Sequence, residues 1–280
     1  ASDSHSTADR PFDPDRAELR NVDRRSHQET SSLRVYHQPA SSNLWNLQAT
    51  VYRNDFDQDD RPLDPEGVAA ESRLTTEGVD VFNTSRLQLG GFEQVLSVGV
   101  EAYRDDQRGF SAGLPDRGFS DAEQRTLGAF AQHQILIGDV DVALGLRADR
   151  IEQEETSAQG RQVSTFDEVS PQMALTYRLS EGLAVYGSYA EAFRTPNLRE
   201  RFIGGPHFGT NQFLPNPDLV PEDARNLETG LTFVHAGWRD GSDRLSGQLS
   251  VYQNTVDNFI EQIVRQPDFQ GDPALANTTR

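Results

Sequence analysis

The strongest constraint on this chain is an alternation of apolar and polar residues at a period of two, interrupted by links that are alternately short and long. In "LWNLQATVYRN", Trp45, Leu47, Ala49 and Val51 share one face of an extended segment, and Asn46, Gln48 and Thr50 share the other. In 91–104, Phe92, Leu96, Val98, Val100 and Ala102 oppose Glu93, Ser97 and Glu101, with Gln94 the exception on the apolar side. In 139–150, Val140, Val142, Leu144, Leu146 and Ala148 oppose Asp141, Arg147 and Asp149. A strand puts every second side chain on one face, so this pattern reads as half-exposed β-structure. It predicts ten strands, at about 31–38, 44–54, 76–86, 91–104, 124–134, 139–150, 168–179, 182–192, 225–238 and 243–256, with an eleventh at 258–265.

The links carry the second half of the argument. "QPASSN", "LQLGG", "ILIGDV", "LSEG" and "RDGSD" are tight turns, whereas 55–75, 105–123, 151–167, 193–224 and 257 onward are long. Strict alternation of the two puts all tight turns at one end of the sheet and all long connections at the other. That is the layout of a transmembrane β-barrel, with short periplasmic turns and long extracellular loops. A soluble sandwich also alternates, but its loops do not sort by length. Glu93, Glu101, Asp141, Arg147, Asp149, Glu228 and Gln248 on the polar face suit a wet lumen, because a dry core would need each of them paired.

The expected fold is therefore all-β, an antiparallel transmembrane β-barrel segment. Residues 1–30 are expected as the remnant of an extracellular loop, 31–265 as barrel strands, and 266–280 as a loop leading to further strands. Ten or eleven strands are about half of a plugged 22-stranded barrel. A piece of a longer protein, without its plug domain, is the expectation. The chain starts without Met and without an apolar leader, which fits that reading.

Composition removes other classes. Lys and Arg number 26 against 44 Asp and Glu, a formal net charge of −18, which disfavours nucleic acid as a partner. With no cysteine there is no disulfide, thiolate metal site or cysteine nucleophile. No "HExxH" run occurs, and no catalytic triad can be assembled, so an outer-membrane barrel enzyme is a lesser alternative. Asp55, Asp57, Asp59, Asp60, Asp64 and Glu66 crowd one long link and invite calcium, or bridges to anionic lipopolysaccharide; their spacing misses the EF-hand pattern.

The longest interruption, 191–230, holds "FRTP" at 193–196, "NPDL" at 216–219, and His207 between them. Downstream stands "VPEDARNLETG", with Pro221, Glu222, Asn226, Glu228 and Gly230. These motifs resemble those of TonB-dependent outer-membrane receptors, and within them the haem and haemoglobin receptors. There the boxes read FRAP and NPNL and flank a histidine able to ligate haem iron. Thr195 and Asp218 depart from those boxes, and neither departure removes a ligand. The resemblance covers most of 125–265. The boxes occur in siderophore receptors too, so only the histidine narrows the reading.

The resemblance implies a non-enzymatic, monomeric receptor in a Gram-negative outer membrane, importing haem with energy from a TonB-type complex. It implies His207 as haem-iron ligand, a role neutral imidazole suits. Phe193, Arg194, Pro196, Asn216, Pro217, Leu219, Pro221, Glu222, Asn226 and Glu228 are expected as structural members of the motif, with Arg194 and Glu222 forming an ion pair or capping backbone groups where loop meets barrel. The residues add that Pro196, Pro206, Pro215, Pro217 and Pro221 restrict the loop while Gly204, Gly205 and Gly209 let it turn sharply. Phe202, Phe208 and Phe213 offer apolar contact to a porphyrin, and Arg199 and Arg201 offer cations to its propionates. His5 and His27 in the N-terminal loop are secondary candidates for ligand capture. A ferric-siderophore or cobalamin receptor is the main alternative, and a passive porin a lesser one.

Overall fold

The computed structural model describes residues 2–11, 19–63, 67–116, 119–157, 160–208, 211–237, 241–265 and 276–279. One 12-stranded sheet runs in the order β1 (Ser2–Pro11), β2 (Leu19–His37), β3 (Leu47–Pro62), β4 (Ala70–Leu89), β5 (Phe92–Ser111), β7 (Asp121–Ile137), β8 (Val140–Ser157), β9 (Gly160–Ser180), β10 (Leu183–Arg194), β13 (Glu222–Ala236) and β14 (Arg244–Asp257); the two-residue β6 (Leu114–Pro115) pairs with the end of β5. Each strand is antiparallel to its neighbour along this path. Among the described residues no ladder joins β1 to β14. A four-stranded sheet, β11 (Gly205–Phe208), β12 (Asn211–Leu214), β16 (Ala276–Thr279) and β15 (Gln262–Arg265), stands apart from it.

The strands are longer than the alternation predicts. They reach 16 residues in β3 and 21 in β9, against the roughly 9–11 that cross a bilayer. Most of the long links at 55–75, 105–123 and 151–167 are the outer halves of paired strands. The N-terminal segment expected as loop carries β1 and the start of β2. Above a membrane both faces of a ribbon meet water, so the alternation fades while the hydrogen-bonded ladder continues. The expected eleventh strand at 258–265 shrinks to β15 and belongs to the smaller sheet. Of the expected terminal loop 266–280, residues 266–275 and 280 lie outside the described residues, and 276–279 form β16.

Burial is inverted relative to a soluble protein. Leu249 is 65 % exposed, and Val51, Val100, Leu146, Val169 and Met173 are exposed with it, whereas Gln153 is 0 % exposed and Thr50, Gln107 and Asp149 are buried. The apolar band covers 92–102 in β5, 127–137 in β7 and 169–179 in β9, the span expected of strands tilted across a hydrocarbon core. The polar face is the enclosed one. Glycines on it make room for large neighbours: a Cβ on Gly99 would lie 2.5 Å from the Phe130 ring and 2.7 Å from Phe82 Cβ. Gly99→Val is therefore expected to cut the amount of folded, heat-modifiable protein recovered in the membrane fraction severalfold. Assembly at the wild-type level would show that this packing yields.

Candidate functional site

Residues 195–204 and 215–221 fold over the polar face beyond β10. Asn197 caps the short helix α1 (Leu198–Phe202): its Oδ1 accepts the Glu200 N–H at 2.8 Å, and the Glu200 carboxylate accepts the Asn197 N–H at 2.8 Å, a reciprocal capping box. Arg194 and Glu222 sit opposite each other in the β10–β13 register. Arg194 donates to both Glu222 oxygens at 2.9 and 2.8 Å and to both Glu200 oxygens at 3.0 and 2.8 Å. Glu222 also accepts the Ile260 N–H at 2.7 Å, which ties in the segment before β15. Hydrogen bonds to Arg194 bring the Glu222 carboxyl down to about 2, and the two carboxylates raise Arg194.

The centre of the loop is Arg201, only 2 % exposed. Its guanidinium donates to Gln153 Oε1 at 2.9 Å, to Ser164 Oγ at 2.6 Å and to the Pro217 carbonyl, and lies 5.4 and 5.0 Å from the Phe166 and Phe202 ring centres. Its main-chain carbonyl accepts the Asn216 N–H at 2.9 Å. Gln153 in turn donates to the Pro196 carbonyl at 2.7 Å and to Gln124 at 2.8 Å. The Arg201–Gln153 pair therefore fastens both flagged boxes, one at Pro196 and the other at Asn216–Pro217, to the sheet. Burial lowers the Arg201 pKa, against the pull of Asp218. Leu198 and Phe202 pack on Ala122 of β7, and Leu219 is buried as well.

Arg201, expected to offer a cation to a propionate, is buried with its guanidinium engaged inside the loop, and Phe202, expected to offer apolar contact, is buried in the loop's core. Arg199, on the same helix, is exposed. Sequence reading missed Gln153, Ser164 and Phe166; they lie on β8 and β9, up to 48 residues from Arg201, with no local motif.

His207 lies in β11, which pairs with β12 through Gly205–Phe213, Pro206–Gln212 and Phe208–Asn211. The register shifts between Pro206 and Phe208, so His207 stands opposite no residue of β12. Such bulges re-aim a side chain and recur at functional sites. The side chains of His207 and Phe208 lie outside the described residues, as does Gly209. Asn216 Oδ1 accepts the Asp218 N–H at 3.3 Å, turning the chain after Pro217. Phe193 is in β10, Pro221 immediately precedes β13, and Asn226 sits opposite Ala190. Glu228 accepts the Tyr186 hydroxyl at 2.8 Å, which accepts from Gln248 at 2.7 Å; Gly230 leaves room for that ring, its would-be Cβ being 2.8 Å away.

Beneath the loop, the polar face holds a cavity of about 420 Å³ lined by Tyr103, Arg147, Asp149, Ser170, Arg194 and Thr195. Arg147 is neutralised there by Asp149 at 2.6 Å and Glu101 at 2.9 Å. The acidic run does not gather around one cation. Asp55 serves Arg53, and Asp60 faces Arg24 at 2.7 Å on the opposite face; Asp64 and Glu66 lie outside the described residues. Among the described residues no group of three metal-ligating side chains converges. His5 pairs with Asp23, and His27 with Asp3.

Comparison with known proteins places this geometry. A hemin receptor of Yersinia pestis is 28% identical over 250 residues, covering 85% of this chain and 36% of that protein. The chain thus spans about a third of this relative's length. The Serratia marcescens hemophore receptor HasR, solved as a double mutant with its hemophore HasA and heme, superposes with a TM-score of 0.76 at 21% identity over 93% of this chain and 46% of that one. The alcaligin outer membrane receptor FauA of Bordetella pertussis superposes with a TM-score of 0.63 at 17% identity, over 99% of this chain and 43% of that one. Receptors for quite different cargoes thus share the fold, which by itself leaves the ligand open. The family model described as TonB dependent receptor-like, beta-barrel matches residues 1–279, and the chain belongs to that family.

Proposed function

We propose that this chain is part of an outer-membrane receptor that imports haem, free or delivered by a haem protein, and that His207 is an iron ligand on its outer surface. The observation that carries the reading is the position of His207: at a strand bulge, between two boxes whose backbones are fastened by Arg201 and Gln153. A loop held at both ends presents its imidazole in a defined place, and one protein ligand can still release its cargo. Arg199, exposed on α1, and Phe208, beside the histidine, are the residues to meet propionate and porphyrin edge. The hemin-receptor relative supports haem over a siderophore or cobalamin.

In this reading the sheet is about half of a closed barrel of the 22-strand class, whose lumen a plug domain occupies. Further strands must cover the β1 and β14 edges, because lipid satisfies no backbone hydrogen bonds. A TonB-type complex acts on the plug from the periplasm, the ligand passes through the lumen, and the receptor works as a monomer surrounded by lipopolysaccharide and outer-membrane lipid.

The test is a haem titration of the full-length receptor in detergent, following the Soret band, beside His207→Ala. Wild type is expected to shift to a ligated spectrum, and the variant to lose at least about tenfold in affinity, ~1.4 kcal/mol. A spectrum that stays that of free haem removes the haem reading and turns the search to ferric siderophores. A variant that binds as wild type does removes His207 as ligand.

A further inference from the structure

We propose that the connection after β14 supplies the second half of the His207 site: β15 and β16 complete the small sheet that carries the histidine and hold its backbone in place. This rests on the proposed function for the identity of the ligand, and on the ladders alone for the rest. His207 lies on β11, an edge strand of the four-stranded sheet, and among the described residues β11 pairs only with β12. Both strands are four residues long. A lone two-stranded hairpin is marginal in water at best, and a third strand is what gives it a lasting shape. The added strands come from the far end of the chain. Gln212, Phe213 and Leu214 run parallel to Ala276, Asn277 and Thr278. β16 in turn pairs antiparallel with β15, from Gln262–Thr279 to Arg265–Ala276. β12 and β16 are thus inner strands with a neighbour on each side. Pro206, which has no N–H to give, stands on the edge strand, where that is tolerated.

A second contact joins the same two connections at their base. Glu222 Oε1 accepts the Ile260 N–H at 2.7 Å, while both Glu222 oxygens bind Arg194, which also holds Glu200 of α1. Ile260 is buried, and β15 begins two residues after it. The two stems of the His207 hairpin are pinned as well. The Ile203 N–H donates to the Arg199 carbonyl at 3.0 Å, and the Asn216 N–H to the Arg201 carbonyl at 2.9 Å. Between those stems, no strand of the large sheet pairs with β11 or β12 among the described residues. The lateral support of the hairpin is β16. Coupling of this kind is reciprocal, so a ligand that orders His207 must also tighten β16 on β12.

The experiment uses the full-length receptor in detergent, with the variants Asn277→Pro, Asn277→Ala and Gln212→Cys/Ala276→Cys. Proline on an inner strand removes a ladder hydrogen bond, whereas alanine leaves the backbone free to pair. Hydrogen exchange read by mass spectrometry should be at least about tenfold faster over 205–208 and 211–214 in Asn277→Pro, and unchanged in Asn277→Ala, with β4, β5 and β7 protected in all. Oxidation should link the two introduced cysteines, which are opposed in the register of a chain that has no cysteine. Haem should bind Asn277→Pro at least about tenfold more weakly, yet at saturation give the wild-type Soret spectrum, because the iron ligand is kept and only its placement is lost. His207→Ala should lose that spectrum. Haem should also slow exchange at 262–265 and 276–279 in wild type and not in His207→Ala. Wild-type exchange over 205–214 in the proline variant, absence of the cysteine link, or undiminished haem affinity overturns the proposal. A wild-type receptor that binds no haem removes the proposed function alone, since exchange and cross-linking still decide whether β16 carries the hairpin.

Discussion

Replacing Arg201 by alanine is expected to release residues 195–221 from the sheet while leaving the strands paired. The change deletes three side-chain hydrogen bonds and strands Gln153, Ser164 and the Pro217 carbonyl in a closed space. Each buried partner left unsatisfied costs about 1–3 kcal/mol. Hydrogen exchange by mass spectrometry is the measurement. Amides of 195–221 should lose roughly a hundredfold or more in protection, about 3 kcal/mol, while peptides from β4, β5 and β7 stay protected. Arg201→Lys should recover only a fraction, since one ammonium cannot serve three acceptors arranged for a planar fork. Wild-type protection in the alanine variant would mean the loop is held without Arg201, by Leu198, Phe202 and Leu219 together with the Arg194–Glu200 and Gln153–Pro196 contacts. The haem binding proposed for the full-length receptor should weaken in parallel although Arg201 is buried within the loop, which separates a positioning role from a contact role.

The second large effect is a dependence of the same loop on acid. Glu222 is held at about 2 by Arg194 and the Ile260 N–H, against an ordinary value of 4.5. A carboxyl depressed on folding contributes its full stabilisation above its unfolded pKa and loses it as pH falls through the folded one. The tether between β10, α1 and β13 is thus intact above about pH 4.5 and fails progressively toward pH 2. Arg194, raised further by its two carboxylates, stays charged throughout and adds no titration of its own. Because Arg194 is partly open to solvent, the effect is screened to about 1 kcal/mol. Limited proteolysis of 195–221 should quicken between pH 6 and pH 3 in wild type. Glu222→Gln should be equally fast at both. A wild-type loop cleaved at the same rate across that range would show that the pair does not hold it.

How much of this was legible in the sequence follows from where each signal resides. Period-two alternation in 91–104 and 139–150 is a local consequence of one face meeting lipid and the other water, so strands, orientation and tight turns could be read directly. The outer halves of the same strands lack that signal, because water lies on both sides. The ladders Asp57–Arg73 and Asp106–Glu123 are therefore visible only in the register. FRTP and NPDL announced themselves as motifs, but what they do did not. Pro196 and Pro217 matter through their carbonyls, and the groups that bind those carbonyls come from Gln153 and Arg201, distant from them in the chain or separated by a loop.

The sequence by itself determined a half-lipid, half-aqueous antiparallel sheet with its long connections at one end, because alternation and link length are properties of neighbouring residues. Only the tertiary structure decided which charged residues are free to meet a ligand. Arg199 and Arg201 are two positions apart and chemically identical, yet one is exposed and the other is buried. The difference is the helix turn between them and the presence of Gln153, Ser164 and Phe166 on the inward side.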